Sequence, residues 1–251
     1  MVSRLKLSLG LALALLAAPA HATDIGAMSD AEREAFRAEI RNYLLDNPEV
    51  LMEAIGVLEE REQLAAAEAE RDFLSKNADA IYSDGFSYVG GNPEGDITLV
   101  EFLDYRCSYC RRAAPDVAEL LETDGNIRWI VKEFPILGDE SVRASQFAIA
   151  TKMEEGDAAY AEVHDALMEH RGNYTDDRLR RIAGDVGFDP EPVIARMDDN
   201  EVQEIIAANR ALGQALQING TPTFVMEDEI LRGYVPLDNM RVMVRQMRAS
   251  N

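Results

Sequence analysis

The chain has 251 residues, 47% of them hydrophobic, with 25 Lys and Arg against 46 Asp and Glu and a formal net charge of −21. That apolar fraction suffices for a packed core in one or two domains, and so acidic a surface argues against binding nucleic acid or an anionic membrane. Only two cysteines and three histidines (His21, His164 and His170) are present, and with His164 and His170 away from ligand spacing a four-ligand zinc site is not expected.

Residues 1–22 read as a secretory signal. Arg4 and Lys6 form a basic start, Leu7 to Ala18 an apolar run, and Ala20-His21-Ala22 a small-residue cleavage pattern. The apolar run is too short to span a bilayer and no later stretch approaches that length, so the expectation is export to the periplasm without membrane insertion. Ser29-Asp30-Ala31-Glu32 is a capping box that opens a helix to about Asp46. Asn47-Pro48-Glu49 restarts the helix, which continues to about Ala80. Phe36, Ile40, Tyr43 and Leu44, then Leu51, Ala54, Ile55, Leu58 and Ala65, make a narrow apolar stripe at helical spacing. Residues 23–86 are too thin to bury that stripe alone. They are expected to form a helical oligomerisation segment of a homo-oligomer, trimer or dimer; the alternative is an arm lying on its own domain.

Gly85, Gly90-Gly91-Asn92-Pro93 and Gly95 mark a linker or hairpin. Ile97 to Leu103 reads as a buried strand, followed by Cys107-Ser108-Tyr109-Cys110 and a helix over 107–123. A C-x-x-C at the turn from strand to helix is the setting of a redox dithiol. Free N–H groups at the helix start stabilise a thiolate on the first cysteine, and the second resolves the mixed disulfide. Ile127 to Lys132 is a second strand, and residues 139–216 are helical in pattern, with candidate helices 141–153, 158–169, 175–186, 190–196 and 200–216. Thr221 to Met226 returns to strand, 227–229 is a turn, 230–234 a closing strand and 237–247 a last helix. The fold class is α/β with an inserted helical block.

Three motifs in order carry a family resemblance: F-L-D-Y-x-C-x-Y-C at 102–110, K-E-F-P-I-L-G at 132–138 and G-T-P-T-F at 220–224. Over residues 87–251 the chain resembles the DsbA group of thioredoxin-fold disulfide oxidoreductases. With its N-terminal helices it is similar in organisation to the ScsC (suppressor of copper sensitivity) proteins, although Ser108-Tyr109 stands where that group often has Pro-Tyr. The resemblance implies a thioredoxin fold with a helical insertion at about 139–216 and no cofactor. It also implies a cis-proline at Pro222, a client-contact backbone at Thr221, and a buried acid at Glu101 that relays the proton of Cys110, with Lys132 near it. Glu101 otherwise reads as a strand residue facing water, and Lys132 as a solvated strand end. Tyr109 is bulky enough to shape the client groove. Arg106, Arg111 and Arg112 add positive potential that lowers the Cys107 pKa, and His164 and His170 are expected as surface or cap residues.

The expected activity is thiol–disulfide exchange with protein clients through Cys107 and Cys110, as an isomerase or reductase. Tyr before the second cysteine and Thr before the proline resemble the disulfide isomerases. No third cysteine provides an internal relay, so a membrane redox partner is expected to reset the dithiol. The alternatives are a DsbA-like oxidase, a copper-tolerance protein holding Cu(I) at Cys107 and Cys110, and a holdase chaperone.

Overall fold

The computed structural model describes residues 25–250, so the expected signal segment lies outside the described residues. After a short 3-10 turn at Ile25–Ala27, Ser29 caps helix α1 (Asp30–Asp46) through the full capping box: its hydroxyl accepts the Glu32 N–H, and the Glu32 carboxylate accepts the Ser29 N–H at 2.9 Å. Helix α2 (Glu49–Lys76) follows. The chain divides into two compact units, residues up to Gln63 and residues from Leu64 onward. In the first unit Phe36, Ile40, Tyr43, Leu51, Ile55 and Leu58 are all exposed.

The last turns of α2 belong to the second unit, whereas the sequence groups residues 23–86 together. The reason is burial: Leu74 enters a core cluster, as does Ile81 of the short helix α3 (Ala78–Tyr82). α2 ends at Lys76 and not near Ala80 because the Asn77 side chain turns back onto the Phe73 carbonyl at 2.8 Å.

The second unit is built on a five-stranded sheet of order β1-β3-β2-β4-β5. Strands β2 (Ile97–Leu103) and β3 (Ile127–Glu133) are parallel, joined by the crossover helix α4 (Ser108–Asp124). Strand β4 (Thr223–Met226) runs antiparallel to β2, and β5 (Glu229–Arg232) antiparallel to β4. Strand β1 (Tyr88–Gly91) pairs antiparallel with β3 where the sequence suggests a linker or hairpin. Its Gly90-Gly91 end weakens any strand signal, and Gly91 turns out of the strand at a φ of 65°.

Between β3 and β4 lie α5 (Asp139–Glu155), α6 (Asp157–Glu169), α7 (Asp176–Val186), α8 (Pro190–Arg196) and α9 (Asn200–Ala215), close to the helices expected from the sequence. Helix α10 (Leu237–Ser250) closes the chain. This is the thioredoxin fold with a helical insertion. Side-chain alternation divides the sheet into two faces. Ile97, Leu99 and Ile127 pack with α4 and α10, while Val100, Phe102 and Ile130 pack with Leu74, Ile81 and Leu212 on the other side. Among the described residues no helix is long and apolar enough to cross a membrane.

Candidate active site

β2 is apolar except for Thr98 and Glu101, and it carries the chain to a tight loop that ends at Cys107, the N-cap of α4. Asp104 builds that loop. Its buried carboxylate accepts N–H groups of Arg106 at 2.7 Å, Ile136 at 2.8 Å and Leu137 at 3.0 Å. One side chain thus joins the cysteine loop to the segment after β3. The Asp104 carbonyl accepts the Cys107 N–H at 3.0 Å.

Both cysteines are free thiols and buried. The Cys107 thiol donates to the Thr221 carbonyl at 3.1 Å, and the Thr221–Pro222 peptide is cis. The Cys107 pKa is lowered to about 5, first by a hydrogen bond from Cys110, then against burial by Thr221 and by the N–H groups of Cys110 and Tyr109. The Thr221 hydroxyl oxygen is buried with no other partner. The second thiol leads the lowering, with Thr221 and the helix-start amides that the sequence reading also invokes behind it, while Arg106, Arg111 and Arg112 are not among the leading causes. Arg112 lies over the Tyr234 ring, 4.5 Å from its centre. Cys110 is pushed far above the ordinary thiol range, first by burial, then by its bond to Cys107 and the charge of Glu101.

Glu101 does not face water. Its pKa is raised to about 8, chiefly by burial; the bond from Trp129 opposes this and the Glu133 charge adds to it. Trp129 Nε1 donates to one carboxylate oxygen at 3.1 Å, and the other is buried without a partner. A buried carboxyl with a pKa of about 8 whose charge bears on the Cys110 thiol is open to proton exchange with it only once the carboxyl has ionised. Tyr109 stands 58% exposed next to the pair, where a client chain can reach it.

Lys132 is not near Glu101. Parallel pairing sets Glu101 opposite Val131 and Phe102 opposite Lys132, so the two charges leave the sheet on opposite faces. Nor is Lys132 a solvated strand end, since its side chain is fully buried, donating to Asp84 and, at 2.8 Å, to the Ala80 carbonyl. Burial opposes ionisation of Asp84, but hydrogen bonds from Lys132 and Ser87 outweigh it and hold the carboxyl below its usual range. The pair ties the loop before β1 to β3. Asp84→Asn leaves a buried ammonium without its counter-charge, so urea unfolding should show a loss of about 3–5 kcal/mol, against near neutrality for Asp84→Asn combined with Lys132→Met. A single-site loss under 1 kcal/mol contradicts a structural role for the pair.

His164 is buried, not at the surface as the sequence suggests, whereas His170 caps the end of α6 as expected. His164 belongs to a polar cluster that sequence reasoning missed. Glu133 accepts hydroxyl bonds from Tyr105 at 2.7 Å, Tyr160 at 2.6 Å and Ser145 at 2.6 Å, and Tyr105 O also meets His164 Nδ1 at 3.2 Å. Burial pushes Glu133 up to about 7, with the three hydroxyls pulling back, and burial lowers His164 to about 4. The available signal is that Glu101, Asp104 and Glu133 stand within or at the ends of otherwise apolar strands, where a charge has to be buried. Among the described residues no group of three or more His, Cys, Asp or Glu side chains could hold a metal ion. Cu(I) at the two sulfurs would have to strip Cys110 of its proton against burial, which fits the site poorly.

Residues 98–244 match the family model of the DSBA-like thioredoxin domain, and residues 32–65 that of the copper resistance protein ScsC N-terminal domain. The chain is similar to a thioredoxin-like oxidoreductase of Silicibacter pomeroyi, with 40% identity, 68% of this chain and 97% of that one covered, and a TM-score of 0.63. It is similar to Proteus mirabilis ScsC in a transitional conformation, with 27% identity, 90% and 99% coverage and a TM-score of 0.65. Among curated relatives, a Na(+)/H(+) antiporter of Salinispora tropica is 28% identical over 163 residues, which are 65% of this chain and 25% of the antiporter. The chain thus spans about a quarter of the length of that relative.

Proposed function

The chain belongs to the DSBA-like thioredoxin-domain family, and from that premise we propose that it is an exported periplasmic thiol–disulfide oxidoreductase of protein clients, working mainly as a disulfide isomerase, with reduction as its secondary direction. The observation that carries this is Cys107 at the start of α4, with its sulfur 3.1 Å from the Thr221 carbonyl before the cis Pro222, its pKa lowered to about 5 and that of the buried Cys110 raised.

The Cys107 thiolate attacks one sulfur of a client disulfide, and the client's other sulfur leaves as a thiolate and takes a proton. The client, bonded to Cys107, lies along Thr221 and Pro222 with Tyr109 beside it. From there a different client thiolate attacks the client sulfur, which re-forms a client disulfide in a new pairing and returns Cys107. Alternatively, Glu101 takes the Cys110 proton and Cys110 attacks Cys107, which leaves a reduced client and an oxidised pair. Isomerisation consumes no electrons. Reduction needs two, supplied by a membrane redox partner.

The exposed apolar stripe in the first unit supports self-association, and its residues overlap the match to the ScsC N-terminal domain. A homo-oligomer, trimer or dimer, brings several Cys107 sites to one misfolded client. The test is refolding of a scrambled-disulfide substrate, with sedimentation, by the mature chain and by a variant lacking residues 23–63. The full chain should isomerise as an oligomer, and the shortened one should sediment as a monomer and lose most isomerase activity while keeping simple exchange. A full chain that is monomeric at micromolar concentration, or equal isomerisation by both, refutes the oligomeric part of the proposal.

A further inference from the structure

Arg106 precedes the nucleophile, and Arg111 follows it by four residues, one helical turn along α4. The loop from His170 to Tyr174 packs against both. Arg106 donates to the Gly172 carbonyl at 3.1 Å, Arg111 to the Tyr174 hydroxyl at 3.2 Å, and that hydroxyl to the Tyr105 carbonyl at 3.1 Å. Arg171 folds back on the end of α6, donating to the Met168 and Glu169 carbonyls. Arg178 stands in the first turn of α7. The charges of Arg178, Arg111 and Arg171 all bear on His170, whose ring lies 5.3 Å from that of Tyr174. Arg106 and Arg111 thus flank Cys107 in the chain, and the His170–Tyr174 loop that both touch carries the charges of Arg171 and Arg178 near it.

Among the described residues none of the four has a carboxylate partner, although acids outnumber Lys and Arg by 46 to 25 in this chain. The nearby acids are engaged elsewhere: Asp176 with Arg143, Asp177 with Arg180, and Glu140 with the Tyr174 N–H. Arg111 and Arg178 each keep a buried Nε–H without an acceptor. Arg106, Arg111 and Arg171 are held instead by carbonyls and a hydroxyl, which fix their positions without compensating their charge.

We propose that Arg106, Arg111, Arg171 and Arg178 form a docking patch for an acidic client segment lying beside the cysteine that Cys107 attacks. Guanidinium groups pair with carboxylates in a fixed fork, and a positive patch on a strongly negative body draws an anionic chain to the one place where it can react. This assignment rests on the proposed exchange activity for its biological meaning, but the binding it describes can be measured without exchange.

The experiment uses the full mature chain in the reduced state. Fluorescence anisotropy compares a cysteine-free decapeptide of alternating Asp and Glu with its Asn and Gln counterpart. At low salt the acidic peptide should bind at least about tenfold tighter, and the advantage should vanish by roughly 0.5 M salt. Arg171→Glu combined with Arg178→Glu should erase the preference, and Arg245→Glu, an exposed arginine on α10, should keep it. Equal binding of the two peptides, or a preference that survives the double substitution, overturns the patch. Exchange with a neutral peptide disulfide is followed in parallel. No exchange with an intact preference removes the proposed function and leaves the patch, whereas normal exchange without preference removes the patch alone.

Discussion

Cys107→Ser is expected to reduce exchange with a disulfide peptide on the order of 10³-fold or more, to the background of the solution. Cys110→Ser should still attack, but it should accumulate a mixed disulfide on Cys107, visible by mass spectrometry as a stable adduct. Alkylation of the wild-type dithiol should have its midpoint near pH 5, because the Cys107 pKa lies at about 5 against a reference of 9.0. Whether this acidity speeds attack is a matter of magnitude. At pH 7 it raises the thiolate fraction roughly a hundredfold, and a Brønsted slope of about 0.5 over four units lowers nucleophilicity by about as much. The gain therefore lies in Cys107 as a leaving group and in the stability of the reduced pair.

The sign follows from a depressed folded pKa. The stabilisation is absent below pH 5, grows as pH rises, and is complete above 9, which gives about 3 kcal/mol at pH 7. That corresponds to about 60 mV in the oxidising direction. Cys110, shifted upward from 9.0, contributes nothing at pH 7 because it is protonated in either state. A reduced state stabilised in this way favours shuffling of client disulfides over their net reduction. An alkylation midpoint near 9 contradicts the thiolate assignment.

Glu101→Gln should separate activity from stability. Attack by Cys107 should be preserved, while release of the mixed disulfide by Cys110 slows about 10²-fold, the usual scale for a lost proton acceptor. In the wild type that release should accelerate as pH rises through about 8, as Glu101 loses its proton, and the inflection should be missing in Glu101→Gln. Stability should move the other way. A carboxyl raised from 4.5 to about 8 stabilises the fold only while protonated, and it opposes folding increasingly as pH rises between those values. At pH 7 the neutral amide removes a cost of about 3 kcal/mol. Urea unfolding at pH 7 and at pH 4 tests this: the variant should be more stable at pH 7 and equal at pH 4. Unchanged release kinetics with a persistent inflection would falsify the relay.

The covalent core of the site was legible in the sequence because its signals are local. A C-x-x-C between an apolar strand and a helix places the first sulfur over free amides whatever the rest of the chain does. The capping box at Ser29 and the helix starts of the insertion are of the same kind. The strand β1 was hidden because two glycines supply no side-chain pattern, and its pairing with β3 is made by residues about forty positions away.

Charge placement was where sequence reading failed, in both directions. Lys132 follows an apolar strand and looked like a solvated end, but register puts it on the face away from Glu101, where Asp84 meets it. His164 lay on an amphipathic helix pattern, yet it faces Tyr105 and Trp129 inside the core. Arg106, Arg111 and Arg112 are neighbours in sequence, but the fold sends Arg112 to Tyr234 and gathers the other two with Arg171 and Arg178. By itself, then, the sequence determined the dithiol, the approximate bounds of the inserted helices and the apolar stripe, because periodicity, caps and short motifs act within a few residues. The tertiary structure alone decided that Asp104 and Glu133 are buried, that Lys132 meets Asp84, and how firmly Cys110 holds its proton. Those depend on desolvation and on partners brought together from distant parts of the chain.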